Sequence, residues 1–148
     1  MGCDIHLYAE KKIDEKWVCL NPLMWDVYDR KPYKHRTVEQ FNIERSYVLF
    51  GFLANVRTLQ EKGFGEAKGF PKDVSKEIKE KYEEWGLDAH SASYLTLKEL
   101  NEKFADTSIK SYFDFFYKDI IENILEYHNI DTLHKDENDI RIVFWFDN

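Results

Sequence analysis

Glycine, proline and cysteine are scarce in this chain. Six Gly and three Pro in 148 residues leave little material for long flexible loops. The two cysteines are Cys3 and Cys19, and a chain of this length does not need a disulfide to hold its core together. We therefore expect reduced thiols and a cytosolic location.

The chain also lacks an excess of basic residues and a long apolar run. Lys and Arg number 21 against 28 Asp and Glu, and this net charge of −7 argues against binding to duplex nucleic acid, which depends on clustered cations. A small anionic ligand is compatible with the charge, since one Arg with backbone amides can hold a phosphate. No segment has the pattern of a signal peptide, a myristoylation site or a membrane span. The sequence predicts a cytoplasmic protein without membrane contact.

Large aromatic side chains are abundant. Apolar residues make up 43% of the chain and aromatic residues 16%. Such a composition supports a folded core built on rings, and the length suits one domain over residues 1–148.

The alternation of polar and apolar residues predicts an α+β fold. Strands are expected over Cys3–Lys11 and Trp17–Leu20, joined as an antiparallel hairpin, and over Ile140–Asp147. We expect a small antiparallel sheet of the N-terminal hairpin and the C-terminal strand, packed against several helices that cover mainly one face. Asn21–Asn42 is expected to be irregular, and Leu87–Leu95 extended or looped.

Helical periodicity predicts four helices. They cover Ile43–Thr58, Val74–Trp85, Leu97–Phe104 and Ser108–His128. The second is highly charged and is expected to be mostly solvated. The third begins with a capping box formed by Thr96 and Glu99. The fourth carries the clearest apolar stripe.

Two Asp-x-His pairs suggest a metal site. Asp4 and His6 are two residues apart on a strand, so their side chains point the same way. Asp88 and His90 form a second pair between two predicted helices. Together they would give the mixed oxygen and nitrogen shell that suits zinc, manganese or iron. The alternative is that these polar residues are simply solvated.

A second group of residues suggests an anion site. Arg45, Tyr47 and Arg57 on the first predicted helix, with the glycine-bearing loop Gly63–Lys72, offer guanidinium and amide donors. Arg57 is the preferred anion ligand. The alternative is that the arginines pair with surface carboxylates, and the glycine spacing matches no Walker or dinucleotide fingerprint.

Serine and cysteine nucleophiles are less well supported. Ser91 and Ser93 follow His90, but neighbours in sequence seldom form a catalytic dyad, and no nucleophile elbow surrounds them. Hydrogen bonding that shapes the loop is the preferred interpretation for the serines, and packing for Cys3. No catalytic residue is assigned.

Five motifs occur together along the chain. They are Met1-Gly-Cys-Asp-Ile-His6, Tyr47-x-Leu-Phe50 with Leu53-Ala and Val56-Arg57, Gly69-Phe-Pro-x-Asp-x-Ser75, Trp85-x-x-Asp-x-His-Ser-x-Ser93 with Leu95-Thr, and Arg141-x-Val-Phe-Trp-Phe-Asp147. This set resembles a family of small uncharacterised proteins borne largely by bacteriophages. The resemblance implies a phage accessory role in the host cytoplasm, such as countering host defence. The chain departs from the family pattern at Ser46, Ala92 and Tyr94.

Three functions are compatible with these residues. The leading hypothesis is a pocket for a small polar or phosphorylated ligand, lined by Arg57, His90, Ser91, Ser93 and Tyr47. The second is a hydrolase in which a divalent transition metal on Asp4, His6, Asp88 and His90 activates water. The third is an acidic inhibitor that binds a host defence protein through an exposed patch.

Overall fold

A computed structural model describes residues 2–21, 23–25, 36–57, 66–105, 110–120 and 136–148 of the chain. The strands in it are β1 (Asp4–Ile13), β2 (Lys16–Cys19), β3 (Leu23–Trp25), β4 (Arg36–Val38), β5 (His90–Thr96) and β6 (Ile140–Asp147). Four of them form an antiparallel sheet of order β2-β1-β6-β5, while β3 and β4 pair separately. The predicted α+β fold, with hairpin and closing strand in one antiparallel sheet, is confirmed.

The described helices are α1 (Tyr47–Ala54), α2 (Lys76–Trp85), α3 (Leu97–Phe104) and α4 (Lys110–Ile120). The capping box that starts α3 forms as predicted, since Thr96 and Glu99 each accept from the other's backbone amide. The predicted ends of the fourth helix lie outside the described residues, as do Thr58, Gly63 and Gly65. No helix in the described segments is long and apolar enough to cross a membrane.

The hairpin of β1 and β2 closes through a two-residue turn. Asp14 and Glu15 both have positive φ angles, of 50° and 64°, between the paired residues Ile13 and Lys16. This is the pattern of the type I′ turn, whose twist matches that of the flanking strands.

The last strand lies in the middle of the sheet. β6 pairs with β1 from Asp4 opposite Asp147 onward, and with β5 from His90 opposite Phe146 onward. Every residue of β6 from 140 to 146 is buried. A strand that is buried on both sides requires cover on both faces of the sheet.

A hydrophobic core accordingly lies on each face of the sheet. One face, with Ile5 and Leu7 of β1, packs against buried residues of α1, α3 and α4. The other face, with Tyr8 and Trp145, packs against Ile78 of α2 and the rings that flank it. Of the described helices, α1, α3 and α4 lie on one face, in line with the expectation that helices cover mainly one face, and α2 lies on the other. Val74–Trp85 is mostly exposed or half-buried, as its charges predict, and it buries Ser75 and Ile78.

The first helix is shorter than its periodicity predicts. It begins only at Tyr47, because Ser46 is extended and its side chain accepts from the amide of Leu49. It ends at Asn55, which adopts the left-handed conformation typical of a helix end. Arg45 and Arg57 consequently lie beyond the two ends of α1, not on its surface.

A buried ion pair fixes α2 to the sheet. The guanidinium of Arg141 donates from Nε to Oε1 of Glu10 at 2.8 Å, and its Nη2 lies 2.7 Å from the same oxygen. The other carboxylate oxygen of Glu10 accepts from the amide of Ser75, the residue that precedes α2, at 2.7 Å. The Arg141 guanidinium also lies 4.1 Å from the ring centroid of Trp17. This pair therefore has a structural role.

Candidate functional site

Most of the polar residues that the sequence singled out meet at one end of the sheet. At this end β1 and β5 begin and β6 finishes, and residues adjoining both ends of α1 reach it. We call this group the polar end, and it consists of Cys3, Asp4, His6, Arg45, Tyr47, Arg57, His90, Ser91, Asp147 and Asn148.

On the α1 side of the polar end, Arg57 lies against Tyr47 and Cys3. Its guanidinium carbon is 5.9 Å from the Tyr47 ring centroid. The Tyr47 hydroxyl accepts from the amide of Cys3 at 3.3 Å, which ties the start of α1 to the start of β1. Burial raises the pKa of the Cys3 thiol, and the neighbouring Arg57 opposes that rise through its charge and a hydrogen bond. A fully buried, protonated thiol fits the packing role expected for Cys3.

Across the strand, Arg45 forms a two-point pair with Asp4. Its Nε and Nη2 donate to the two carboxylate oxygens, each at 2.9 Å. Both side chains are about half exposed, at 48% and 52%. The hydrogen bond from Arg45 lowers the pKa of Asp4, so this carboxylate is ionised at neutral pH and its charge is matched.

His6 is held by protein partners at both ring nitrogens. Nδ1 lies 2.6 Å from Oε1 of Gln40, and Nε2 lies 3.1 Å from Oδ2 of Asp147. The ring is only 6% exposed and its centroid is 4.2 Å from that of Trp85, at the end of α2. His6 therefore joins β1, β6 and α2.

The predicted metal shell does not form. Within the described segments, no three His, Cys, Asp or Glu side chains converge on a position that could hold an ion. Asp4 and His6 do share a strand face, but Arg45 takes the first and Asp147 with Gln40 takes the second. Asp88 is exposed in a single 3₁₀ turn. The four residues Asp4, His6, Asp88 and His90 are thus placed in separate hydrogen-bonding environments.

His90 begins β5 with neutral partners. Nδ1 lies 3.1 Å from Oγ of Ser91, and Nε2 lies 3.3 Å from Oδ1 of Asn148. The strand register shifts between His90 and Ser93, so the sheet is irregular here. Ser93 is 1% exposed and accepts from the amide of Lys68 at 3.0 Å, which gives it a structural role away from the other predicted ligand residues.

Two strained residues mark the polar end. In the described part of the chain, five residues other than glycine have positive φ angles: Asp14, Glu15, Asn55, Arg57 and Ser91. The first two form the hairpin turn and the third ends α1. Arg57 and Ser91 both have φ of 53°; Ser91 lies at the irregularity of β5 between His90 and Ser93, whereas Arg57 follows the end of α1. A left-handed residue other than glycine costs on the order of 1–2 kcal/mol, and such strain concentrates at functional sites.

A cavity of about 500 Å³ adjoins the polar end at the start of α1. Apolar side chains from the segment before α1, from α1 itself and from α4 line it, together with Glu44, Arg45, Ser46 and Ser111. Sequence reasoning missed this cavity because its walls come from segments about 70 residues apart. One signal was present: Phe115 lies off the apolar stripe of its helix and is 72% exposed.

No protein-family model, no curated protein and no solved structure matches this chain. The resemblance to the bacteriophage-borne family therefore stays a prediction.

Proposed function

We propose that this protein binds a small polar or phosphorylated ligand at the polar end, with Arg57 and His90 as the main donors and Tyr47 and Ser91 beside them. The observation that carries the proposal is the placement of Arg57. Its backbone is held in a strained conformation while its guanidinium lies over the Tyr47 ring and beside Cys3.

A guanidinium held in this way suits a phosphate. The planar fork of Arg matches phosphate oxygens, and contact with an aromatic face fixes its orientation before a ligand arrives. Less side-chain freedom is then lost on binding, which increases affinity for a given set of contacts. The left-handed backbone of Arg57 gives a reason why this residue should serve a ligand and not the fold alone.

The charges around the site also favour an anion. Among the described residues of the polar end, the side-chain carboxylates are each matched by a cation or an imidazole, Asp4 by Arg45 and Asp147 by His6. His90, by contrast, contacts the neutral side chains of Ser91 and Asn148. The charges of Asp4 and Asp147 are therefore balanced by protein partners where an anion would approach His90.

The other two hypotheses draw less support from the described residues. A metal-dependent hydrolase needs ligands that converge, and the two Asp-x-His pairs do not. An inhibitor surface needs a continuous patch, whereas among the described residues the exposed large apolar side chains belong to three separate parts of the chain: Ile13 and Val18 on the hairpin, Leu87 after α2 and Phe115 on α4. Ligand binding at the polar end is the function that the geometry supports best.

The variant Arg57→Gly separates binding from folding. Glycine tolerates the left-handed conformation, so this variant should be at least as stable as the parent protein in urea. Calorimetric titration with inorganic phosphate, ribose 5-phosphate and AMP should show binding to the parent and a loss of at least tenfold in the variant, about 1.4 kcal/mol.

Lys76→Ala is the matched control, because it removes one exposed cation whose ion pair, within the part of the chain that the structure describes, is with Glu80 at 3.8 Å. It should bind the same probes as the parent does. Equal affinities of Arg57→Gly and the parent for every probe, or no binding by the parent, would show that the proposal is wrong.

A further inference from the structure

We infer that the cavity at the start of α1 receives the ring of the same phosphorylated ligand, which makes that ligand a nucleoside phosphate. This inference rests on the proposed function. It names the chemical class of the ligand and adds a second part to the site.

The cavity has the size and lining of a ring subsite. Its volume of about 500 Å³ lies in the range of small-molecule pockets, roughly 300–1,000 Å³. Ile43, Leu49 and Phe116 supply apolar walls, and Phe115 on α4 leaves most of its ring open to solvent. An exposed phenyl ring at the mouth of a cavity offers a stacking surface for a flat aromatic group.

The cavity and Arg57 are neighbours through the start of α1. Ser46 lines the cavity, and the next residue, Tyr47, carries the Arg57 guanidinium over its ring. Arg45 also lines the cavity while it pairs with Asp4 at the polar end. The pKa of Arg45 is raised, first by Asp4 and to a smaller degree by Tyr47 and Cys3, the residues that adjoin Arg57. The proposed ligand spans these two places.

Glu44 decides which part of the ligand enters. Glu44 is one of the residues that line the cavity, and an ionised carboxylate can only accept hydrogen bonds. A phosphate inside the cavity would be repelled by it, whereas a ring with N–H donors would be stabilised. The ring of the ligand therefore occupies the cavity and the phosphate lies toward Arg57. The amino group of adenine and the N3–H of uracil can both donate to Glu44, so it is the larger stacking area of a purine on Phe115 that favours adenine over uracil.

Two variants test the cavity without touching Arg57. Ser111→Trp fills it from an exposed position on α4, and Phe115→Ala removes the stacking surface. Lys98→Trp is the control, because it places the same ring at an exposed position on α3. The probes are AMP, UMP, adenosine and ribose 5-phosphate, titrated by calorimetry into the full chain.

We expect the parent protein to bind AMP at least tenfold more tightly than ribose 5-phosphate, and more tightly than UMP. Ser111→Trp should weaken AMP binding at least tenfold and leave ribose 5-phosphate unchanged, and Phe115→Ala should weaken AMP to a smaller degree. Lys98→Trp should match the parent for all probes.

The two proposals fail in different ways. If AMP and ribose 5-phosphate bind equally, or if Ser111→Trp and Phe115→Ala leave AMP binding unchanged, the ring subsite is wrong while phosphate binding at Arg57 stands. If no phosphorylated probe binds but adenosine does, in a manner that Ser111→Trp abolishes, the cavity holds a ring and the phosphate site is wrong. If nothing binds, both are wrong.

Discussion

Two arginine–carboxylate pairs lie on the same face of β1, six residues apart, and have opposite roles. The pair of Glu10 and Arg141 is buried, with side chains 0% and 3% exposed. The pair of Asp4 and Arg45 is about half exposed. The chemistry of the two pairs is the same, so their surroundings account for the difference.

Because the pair of Glu10 and Arg141 is buried, it belongs to the fold. The pair of Asp4 and Arg45 is exposed and belongs to the candidate site. In the interior, both charges depend on each other because no water replaces a missing partner. At the surface, solvent screens the charges and either partner can move toward a ligand. The polar end therefore combines residues that are fixed by protein partners, such as His6, with exposed charged residues that can move toward a ligand.

The largest expected effect comes from breaking the buried pair. Arg141→Met leaves the Glu10 carboxylate buried without its cation and should lower the free energy of unfolding by about 3–5 kcal/mol. Urea denaturation measures it. The double variant Glu10→Leu with Arg141→Met removes both charges and should recover much of the loss. A single variant as stable as the parent would show that the pair is not structural.

An intermediate effect is expected at alkaline pH. Burial raises the pKa of the Cys19 thiol to about 12 from an ordinary value of 9.0. Above pH 9 the unfolded chain loses this proton and the folded chain keeps it, so stability falls as pH rises toward 12, by at most about 1.4 kcal/mol per pH unit. Urea denaturation at several pH values between roughly 8 and 11 measures how steeply the free energy of unfolding falls with pH.

Cys19→Ala is the control for the thiol. It removes the ionisable group, so its stability should fall less steeply over the same pH range than that of the parent. Identical slopes for the two proteins would contradict the assignment to Cys19.

The smallest effect is expected at the exposed pair. Arg45→Ala should leave the urea midpoint at neutral pH and physiological salt unchanged within error, because solvent screens both partners. The variant should nevertheless raise the pKa of Asp4 toward its ordinary value, since the hydrogen bond from Arg45 is what lowers it. NMR titration of the Asp4 carboxyl measures this change. A marked loss of stability would mean that the two pairs are alike.

Much of the fold could be predicted from the sequence, because local patterns report local structure. Alternation located β1 and β6, and the Thr96 and Glu99 box located the start of α3. The packing of α2 on the other face of the sheet was missed, because Val74–Trp85 exposes most of its charged residues and contacts the sheet with only a few apolar ones. The start of α1 was missed because apolar spacing from Ile43 continues through the extended residue Ser46.

The candidate site was predicted in part. Arg57, His90, Ser91 and Tyr47 do lie at the polar end, together with Asp4 and His6. What the sequence does not contain is the set of partners: Asp147 for His6, Arg45 for Asp4 and Lys68 for Ser93 are all more than 20 residues away. These partners decide whether a polar side chain binds an ion, supports the backbone or meets a ligand.

The central position of β6 has a consequence for how the chain folds. Its pairing with β1 joins residues as far as 143 positions apart, and its pairing with β5 spans about 50. Contacts of such high sequence separation give a high contact order, for which folding times on the order of milliseconds to seconds are typical. Until residues 140–147 arrive, β1 and β5 each expose an unpaired edge to other chains. The newly made protein is therefore most vulnerable to aggregation before this strand inserts.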